Sequence, residues 1–147
     1  MTRRFVLLAA CVAVISTAAA GAQGRQYRAR LSPVPLDVAM QATIAGSGSV
    51  TAALNGTTLT LAGNYAGLVT ASTVARVHRG PRTAMRGPAI GDLKITPGTS
   101  GTMAGSLELT KEQADDLASG RLYIQLHSEK APEGNLWGWL LLQEGKK

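Results

Sequence analysis

An Asn-Gly dipeptide between two runs suited to β-strands is the feature that most restricts the fold of this chain. Residues 50–54 and 57–62 flank Asn55 and Gly56. Asn and Gly tolerate the left-handed backbone dihedrals of a type I′ turn, whose twist matches that of the strands it joins. The sequence therefore predicts a β-hairpin with a type I′ turn at Asn55-Gly56.

The remainder of the chain from Gln26 onward repeats this pattern of short, alternating segments, without a long stretch of 3.6-residue periodicity. Further strands are expected at residues 27–31, 36–44, 69–78, 89–95, 102–109, 122–128 and 136–142. A turn containing Pro132 and Gly134 is expected to separate the last two. Regularly spaced short strands of this kind indicate an all-β domain, either a Greek-key sandwich or a barrel.

One short helix is predicted near residues 111–118. Thr110 and Gln113 have the spacing of a capping box, in which each side chain bonds the other residue's backbone N–H. Gly120 stands where a left-handed residue would end the helix. Asp115 and Asp116 are consecutive and point about 100° apart, so they cannot act as a shared-proton pair. Both are expected on the solvated face.

The first 22 residues have the three parts of a secretory signal peptide. Arg3 and Arg4 form a basic start, residues 5–15 form an apolar run, and small residues precede a cleavage site after Ala20 or Ala22. The apolar run is shorter than the roughly 20 residues that cross a bilayer, so no transmembrane segment is expected. The sequence thus predicts a periplasmic or secreted protein.

Cys11 is the only cysteine, and it leaves a second interpretation open. The residues before it match a lipidation pattern, which would make the protein a lipoprotein anchored at Cys11. If the signal is instead cleaved after Ala20 or Ala22, the domain has no disulfide. Removal of Arg3 and Arg4 lowers the formal charge from +6 to +4. The remaining sequence lacks the dense basic stripe of a nucleic-acid binder, so nucleic acid is not expected as a partner.

Two segments together resemble the CHRD family, a domain found in chordin and in exported bacterial proteins. The first is TVARVHRGP at 73–81, followed by GPAI at 87–90; the second is GRLYIQLHS at 120–128, followed by PEGNLWG at 132–138. The resemblance extends over most of residues 26–143, leaving a short polar tail at 144–147. It implies an immunoglobulin-like or superoxide-dismutase-like Greek-key β-sandwich without a well-defined activity.

The histidine motif of the family is degenerate in this chain. Arg76 replaces the first histidine of a pair, and Asn135 replaces a glutamate, which leaves His78 and His127 as imidazole ligands. Two histidines fall short of the three or four ligands of zinc and copper sites. By strand alternation Arg76 shares a face with His78, and its fixed cation would repel a metal. We therefore expect two structural histidines and no cofactor. A copper or zinc site at His78 and His127, in a metal-binding or redox protein, is the alternative.

Four arginines at one strand end and the following loop are the main candidate for binding. They are Arg76, Arg79, Arg82 and Arg86. Guanidinium groups form bidentate hydrogen bonds with carboxylate, sulfate or phosphate, so this loop favours an acidic glycan, a lipid head group or an acidic surface of another extracytoplasmic protein. The other interpretation is that these are separate solvated charges. Tyr123 and His127 lie on the polar face of their strand and join the candidate set.

Trp137 and Trp139 are two residues apart, so both rings are expected on one face of the last strand. Burial in the core, a sugar-stacking platform and a protein interface are the three interpretations. No Gly-x-Ser-x-Gly elbow or other local pattern singles out a nucleophile, so a non-catalytic binding or structural module is predicted.

Overall fold

The computed structural model describes residues 24–34 and 37–145, so the expected signal segment 1–22 with Cys11, and residues 146–147 of the tail, lie outside it. The strands are β1 (Arg25–Pro33), β2 (Ser47–Asn55), β3 (Thr58–Ala66), β4 (Ser72–Arg79), β5 (Ala89–Ile95), β6 (Gly101–Glu108), β7 (Leu122–Ser128), β8 (Ala131–Trp139) and β9 (Leu141–Leu142). One helix, α1 (Lys111–Ala118), follows β6. The prediction of an all-β domain with one short helix is confirmed.

Eight of the strands close into an antiparallel ring. Their order is β2-β3-β6-β5-β4-β7-β8-β1, and β1 pairs again with β2. The short β9 continues the line of β8 along β1. Because β3 lies beside β6 and β7 lies beside β4, the connections β3–β4 and β6–β7 pass over the ends of the ring.

The core fills the inside of this ring. Inward-facing residues alternate along each strand, as in β1, where Tyr27, Ala29 and Leu31 are buried between exposed neighbours. Leu117 of α1 and Leu140, between β8 and β9, extend the same apolar cluster. Burial of apolar area stabilises such a fold by about 25 cal/mol per Å². Cohesion of the described domain therefore rests on packing and on the closed ladder of hydrogen bonds.

The predicted hairpin is present, but its turn type was wrong. Asn55 pairs with Thr58, so the two central residues are Gly56 and Thr57. Gly56 has a φ of +62°, whereas Asn55 and Thr57 are not in the left-handed region. A positive φ at the first central residue alone is the pattern of a type II′ turn, which requires glycine there. The Asn-Gly pair therefore predicted the hairpin correctly but placed its turn one residue too early.

The strand predicted at 36–44 is also wrong for its described part. Residues 39–42 form a short 3₁₀ turn, and the Asp37 carboxylate accepts a hydrogen bond from the backbone N–H of Met40 at 2.9 Å. Such a local side-chain bond offers the backbone an alternative to a sheet ladder. Val38 consequently remains 81% exposed, although its apolar character had favoured a strand.

The turn before the last strand also differs from the prediction. Pro132 and Gly134 lie within β8, and the connection from β7 is made by Glu129 and Lys130. The backbone N–H of Glu129 donates to the carbonyl of Ala71, and that of Lys130 donates to the Thr70 hydroxyl. These long-range bonds place the turn two residues before the proline, which local sequence rules do not detect.

The helix begins and ends where the sequence predicted. Thr110 accepts from the backbone N–H of Gln113 at 3.2 Å, and the Gln113 side chain accepts from the N–H of Thr110 at 2.9 Å. Gly120 follows the helix with a φ of +68°. No helix in the described part of the chain is long and apolar enough to cross a membrane.

Candidate functional site

The outer face of β4, β7 and β8 collects most of the predicted site residues. Register places His78 opposite Tyr123, and Tyr123 opposite Trp139. The next outward row joins Arg76, Gln125 and Trp137. Alternation thus puts Arg76 on the same face as His78, as predicted. We call this surface, together with His127 and the loop that covers it, the basic–aromatic face.

The loop at residues 80–88 folds over this face and is held at Gly87. His78 Nδ1 donates to the Gly87 carbonyl at 2.9 Å, and the Tyr123 hydroxyl donates to the same carbonyl while accepting from the Gly87 N–H, both at 3.1 Å. A Cβ at Gly87 would overlap the backbone of Arg79, with the Arg79 carbonyl carbon 2.8 Å away. Only glycine allows the loop to pack this closely.

Aromatic rings stack beneath the loop. The ring centroids of His78 and Tyr123 are 4.9 Å apart with an interplanar angle of 19°, and those of Tyr123 and Trp137 are 5.7 Å apart at 14°. Trp139 meets Tyr123 at 4.6 Å in a tilted arrangement. The Arg86 guanidinium lies 3.5 Å from the centroid of the Trp137 ring, which is a cation–π contact. Both tryptophans are half-buried on the outside of the ring rather than in the core.

The four candidate arginines do not form a single clamp. Arg76 pairs with Asp92 at 2.9 Å on the neighbouring strand. Arg79 points to the other side of β4 and binds Asp116 and Glu112, which raise its pKa. Arg82 and Arg86 form no ion pair within the described part of the chain. Of the predicted set, these two have guanidinium groups that are not neutralised by a carboxylate.

Asp116 corrects a prediction, because it is buried rather than solvated. Its side chain is 7% exposed and bridges Arg79 and Arg121. Arg121 also donates to the carbonyls of Gly80 and Pro81, at 3.3 Å and 2.7 Å. This cluster fixes the start of the 80–88 loop to the end of α1. Local sequence rules do not detect this cluster, because Asp116 bridges two partners that lie 37 and 5 residues away along the chain.

His78 and His127 are held in the same manner, each by one backbone carbonyl. His127 Nδ1 donates to Pro132 at 2.7 Å, as His78 Nδ1 does to Gly87. Burial lowers the pKa of both imidazoles, and the nearby cations Arg76 and Arg86 lower it further, against these hydrogen bonds. Both rings are therefore neutral at pH 7. Their Nε2 atoms are buried and have no hydrogen-bond partner among the residues that the structure describes.

Asn135, the replacement for the glutamate of the family motif, has a structural place in this chain. It is fully buried, accepts from the backbone N–H of Ala45 at 3.2 Å and donates to the Ser128 hydroxyl at 2.8 Å. A carboxylate could not donate to Ser128 in this way. Within the described ranges, no three His, Cys, Asp or Glu side chains are grouped to hold a metal ion.

The structure thus defines a small, closed all-β domain whose outer face combines stacked rings, two imidazoles and the guanidinium of Arg86. The family model of the CHRD domain matches residues 27–140. The chain therefore belongs to the CHRD domain family, as its two motif segments had suggested. No curated protein and no solved structure matches the chain significantly.

Proposed function

We propose that the protein is an exported, non-catalytic CHRD module that binds an anionic group through the loop at residues 80–88. The target is a carboxylate, sulfate or phosphate on an extracytoplasmic protein, an acidic glycan or a lipid head group. Membership of the CHRD family suggests a binding or structural module. The signal-type sequence at 1–22 supports periplasmic or secreted localisation.

The position of Arg86 carries this proposal. Its guanidinium lies over the Trp137 ring, and no carboxylate in the described part of the chain forms an ion pair with it. An arginine fixed by stacking keeps its N–H edge available for bidentate bonds with an anion. Arg82 lies on the same loop and is exposed. Arg79 and Arg121 line the adjoining hollow of about 410 Å³, but their charges are used to hold the loop.

The strand order supports the proposed fold, and the hydrogen bonds of the two histidines support the proposed non-catalytic role. Strands β4, β5 and β6 are consecutive neighbours, with β7 returning beside β4, which is the order of a Greek key. This order supports the Greek-key topology that the family resemblance implied, in a sheet that closes as a barrel. The histidines have their Nδ1 atoms bonded to backbone carbonyls, and in the described part of the chain neither is hydrogen-bonded to a serine or carboxylate of a catalytic set.

Replacement of Arg86 tests the loop directly. We expect inorganic phosphate, galacturonate or phosphatidylglycerol vesicles to bind the purified protein, and Arg86→Gln to weaken that binding about tenfold or more, since one lost bidentate contact is worth at least about 1.4 kcal/mol. Calorimetry measures the first two probes and cosedimentation the third. Arg25→Gln removes the same charge at the start of β1 and should leave affinity unchanged. Binding of none of the probes, or equal binding by Arg86→Gln, contradicts the proposal.

A metal-binding or redox function at His78 and His127 is the second candidate, and the state of their Nε2 atoms favours it. Each Nε2 is buried and has no partner within residues 24–34 and 37–145, while Nδ1 donates to a carbonyl. A histidine ligand of copper or zinc is oriented in the same way. The fit is incomplete. Arg76 and Arg86 place positive charge near both rings, and a third ligand is not grouped with them in the described residues.

This second candidate has its own measurement. If the two imidazoles hold Cu²⁺ or Zn²⁺, protein purified without chelators contains about one equivalent of metal, and His78→Gln with His127→Gln removes it. Elemental analysis reads out the metal content, and Arg86→Gln is the informative comparison, because loss of the cation should strengthen metal binding. Metal well below one equivalent in the unaltered protein rules the candidate out.

A further inference from the structure

A second groove crosses the outside of the molecule between β1 and the strands β8 and β9. It encloses about 370 Å³, and its walls include Arg28, Arg30, Trp137, Trp139 and Leu141. Trp137 and Trp139 both line it, and the cation–π contact of Arg86 is with Trp137. The groove is thus an open channel with an aromatic floor and a basic side.

Strand register explains why these groups meet. Ser32 pairs with Trp137, and Arg28 pairs with Leu141, so the same register brings Arg30 opposite Trp139. Arg28 and Arg30 are two residues apart on β1 and point outward, about 7 Å from each other along the strand. Each guanidinium therefore stands beside an apolar side chain of the neighbouring strand.

The basic side of the groove leads onto a second, polar hollow. Arg28 and Arg30 also line this hollow of about 960 Å³, together with Ser49, Asn64 and Thr102. Cross-strand pairing aligns Arg30 with Ser49, Ser49 with Asn64, and Asn64 with Thr102. From Trp139 this row runs across four strand spacings, about 19 Å in total. The surface offers ring, guanidinium, hydroxyl and amide groups in that order.

The two arginines of the groove are not neutralised within the described part of the chain. Arg28 and Arg30 are exposed, and none of the ion pairs there includes either of them. Unpaired guanidiniums two residues apart match successive anionic groups of a polymer. The complementary occupant is therefore an extended anion.

We infer that this groove binds a linear acidic glycan, with its charged groups on Arg28 and Arg30 and a sugar ring against Trp139. The apolar C–H face of a pyranose fits the face of an indole ring, and the row of Ser49, Asn64 and Thr102 supplies hydrogen bonds to ring hydroxyls. An acidic polypeptide would use the arginines but not this combination of ring and hydroxyl groups. The groove does not use Arg82 or Arg86, so this inference does not depend on the loop proposal.

Polygalacturonate, a linear glycan with one carboxylate per sugar, is the probe. We expect the purified protein to bind it with an affinity that falls tenfold or more in Arg28→Gln with Arg30→Gln, and about threefold or more in Trp139→Leu. Dextran, which is neutral, should not bind. Arg25→Gln is the matched control on the same strand. In an Arg86→Gln background, where the loop site is weakened, Arg28→Gln with Arg30→Gln should still lower the affinity for polygalacturonate tenfold or more.

The remaining outcomes overturn the inference. These are the absence of polygalacturonate binding, a loss caused by Arg86→Gln but not by the two groove arginines, or equal affinity for poly-L-glutamate. Equal affinity of Trp139→Leu also overturns the assigned sugar contact, provided that its circular dichroism spectrum matches that of the unaltered protein. Because Arg28 and Arg30 are exposed, their glutamine variants should fold normally, which separates lost binding from lost structure.

Discussion

Replacement of Asp116 by alanine is expected to lower the free energy of unfolding by about 3 kcal/mol, because it leaves two guanidiniums without their shared carboxylate. Asp116 is the buried member of the cluster, whereas Arg79 and Arg121 are partly exposed. Because solvent screens the two arginines, the loss of unfolding free energy is expected at the lower end of the range for a broken buried ion pair. Urea unfolding followed by tryptophan fluorescence measures the change.

The adjacent aspartate provides the matched control. Asp115 is exposed and pairs with Lys111 one helical turn away, at 2.9 Å. Exposed pairs of this type contribute about 0.5 kcal/mol or less. Asp115→Ala should therefore shift the urea midpoint little. Equal shifts for the two alanine variants would show that Asp116 does not hold the loop to α1.

Stability is expected to fall as the pH is lowered from about 7 towards 5, because of His78 and His127. The folded state holds both pKa values below the ordinary value of 6.5. Below pH 6.5 the unfolded chain therefore binds protons that the folded protein does not, which favours unfolding. Well above pH 6.5 both states are neutral, so protonation of the two imidazoles no longer destabilises the folded protein. Each imidazole adds at most about 1.4 kcal/mol per pH unit, and less for His78, which solvent partly screens.

Urea unfolding at several pH values measures this slope. His78→Gln with His127→Gln should flatten the dependence between pH 7 and 5, since glutamine can still donate to the carbonyls of Gly87 and Pro132 but does not titrate. Carboxylates ionise mainly below this range, so they leave the comparison largely unaffected. An unchanged slope in the double variant would assign the pH dependence to other groups.

The elements that sequence predicted well are those fixed by local chemistry. The capping box at Thr110 and the stop at Gly120 predicted the helix correctly. Alternation placed Tyr123 and His127 on one face of β7, although every residue of that strand is buried. Local sequence rules failed where hydrogen bonds between distant residues determine the position of a turn. The turn at Glu129 and Lys130 depends on Thr70 and Ala71, some 60 residues earlier.

The candidate site was predictable in part for the same reason. The common face of Arg76 and His78 follows from strand periodicity alone. The separation of Arg79 from Arg86 could not be predicted in this way, because it depends on the ion pair of Arg79 with the buried Asp116. Sequence analysis did not predict the groove at Arg28 and Arg30, because in the sequence each arginine is an ordinary exposed charge of an alternating strand. Only ring closure brings β1 next to Trp139.

Closure of the strand ring also limits how this domain can recognise anything. Each of the eight strands has a neighbour on both sides, so most of their backbone donors and acceptors are already used. The exceptions are the seams β5–β6 and β1–β8, which are joined by two residue pairs each. A partner that docks by adding a strand would find an open ladder only beside these seams. Elsewhere recognition depends on the side chains of the outer faces, and these can be exchanged without altering the ladder. A domain built in this way can acquire new ligands by substitution at the surface while its interior stays the same.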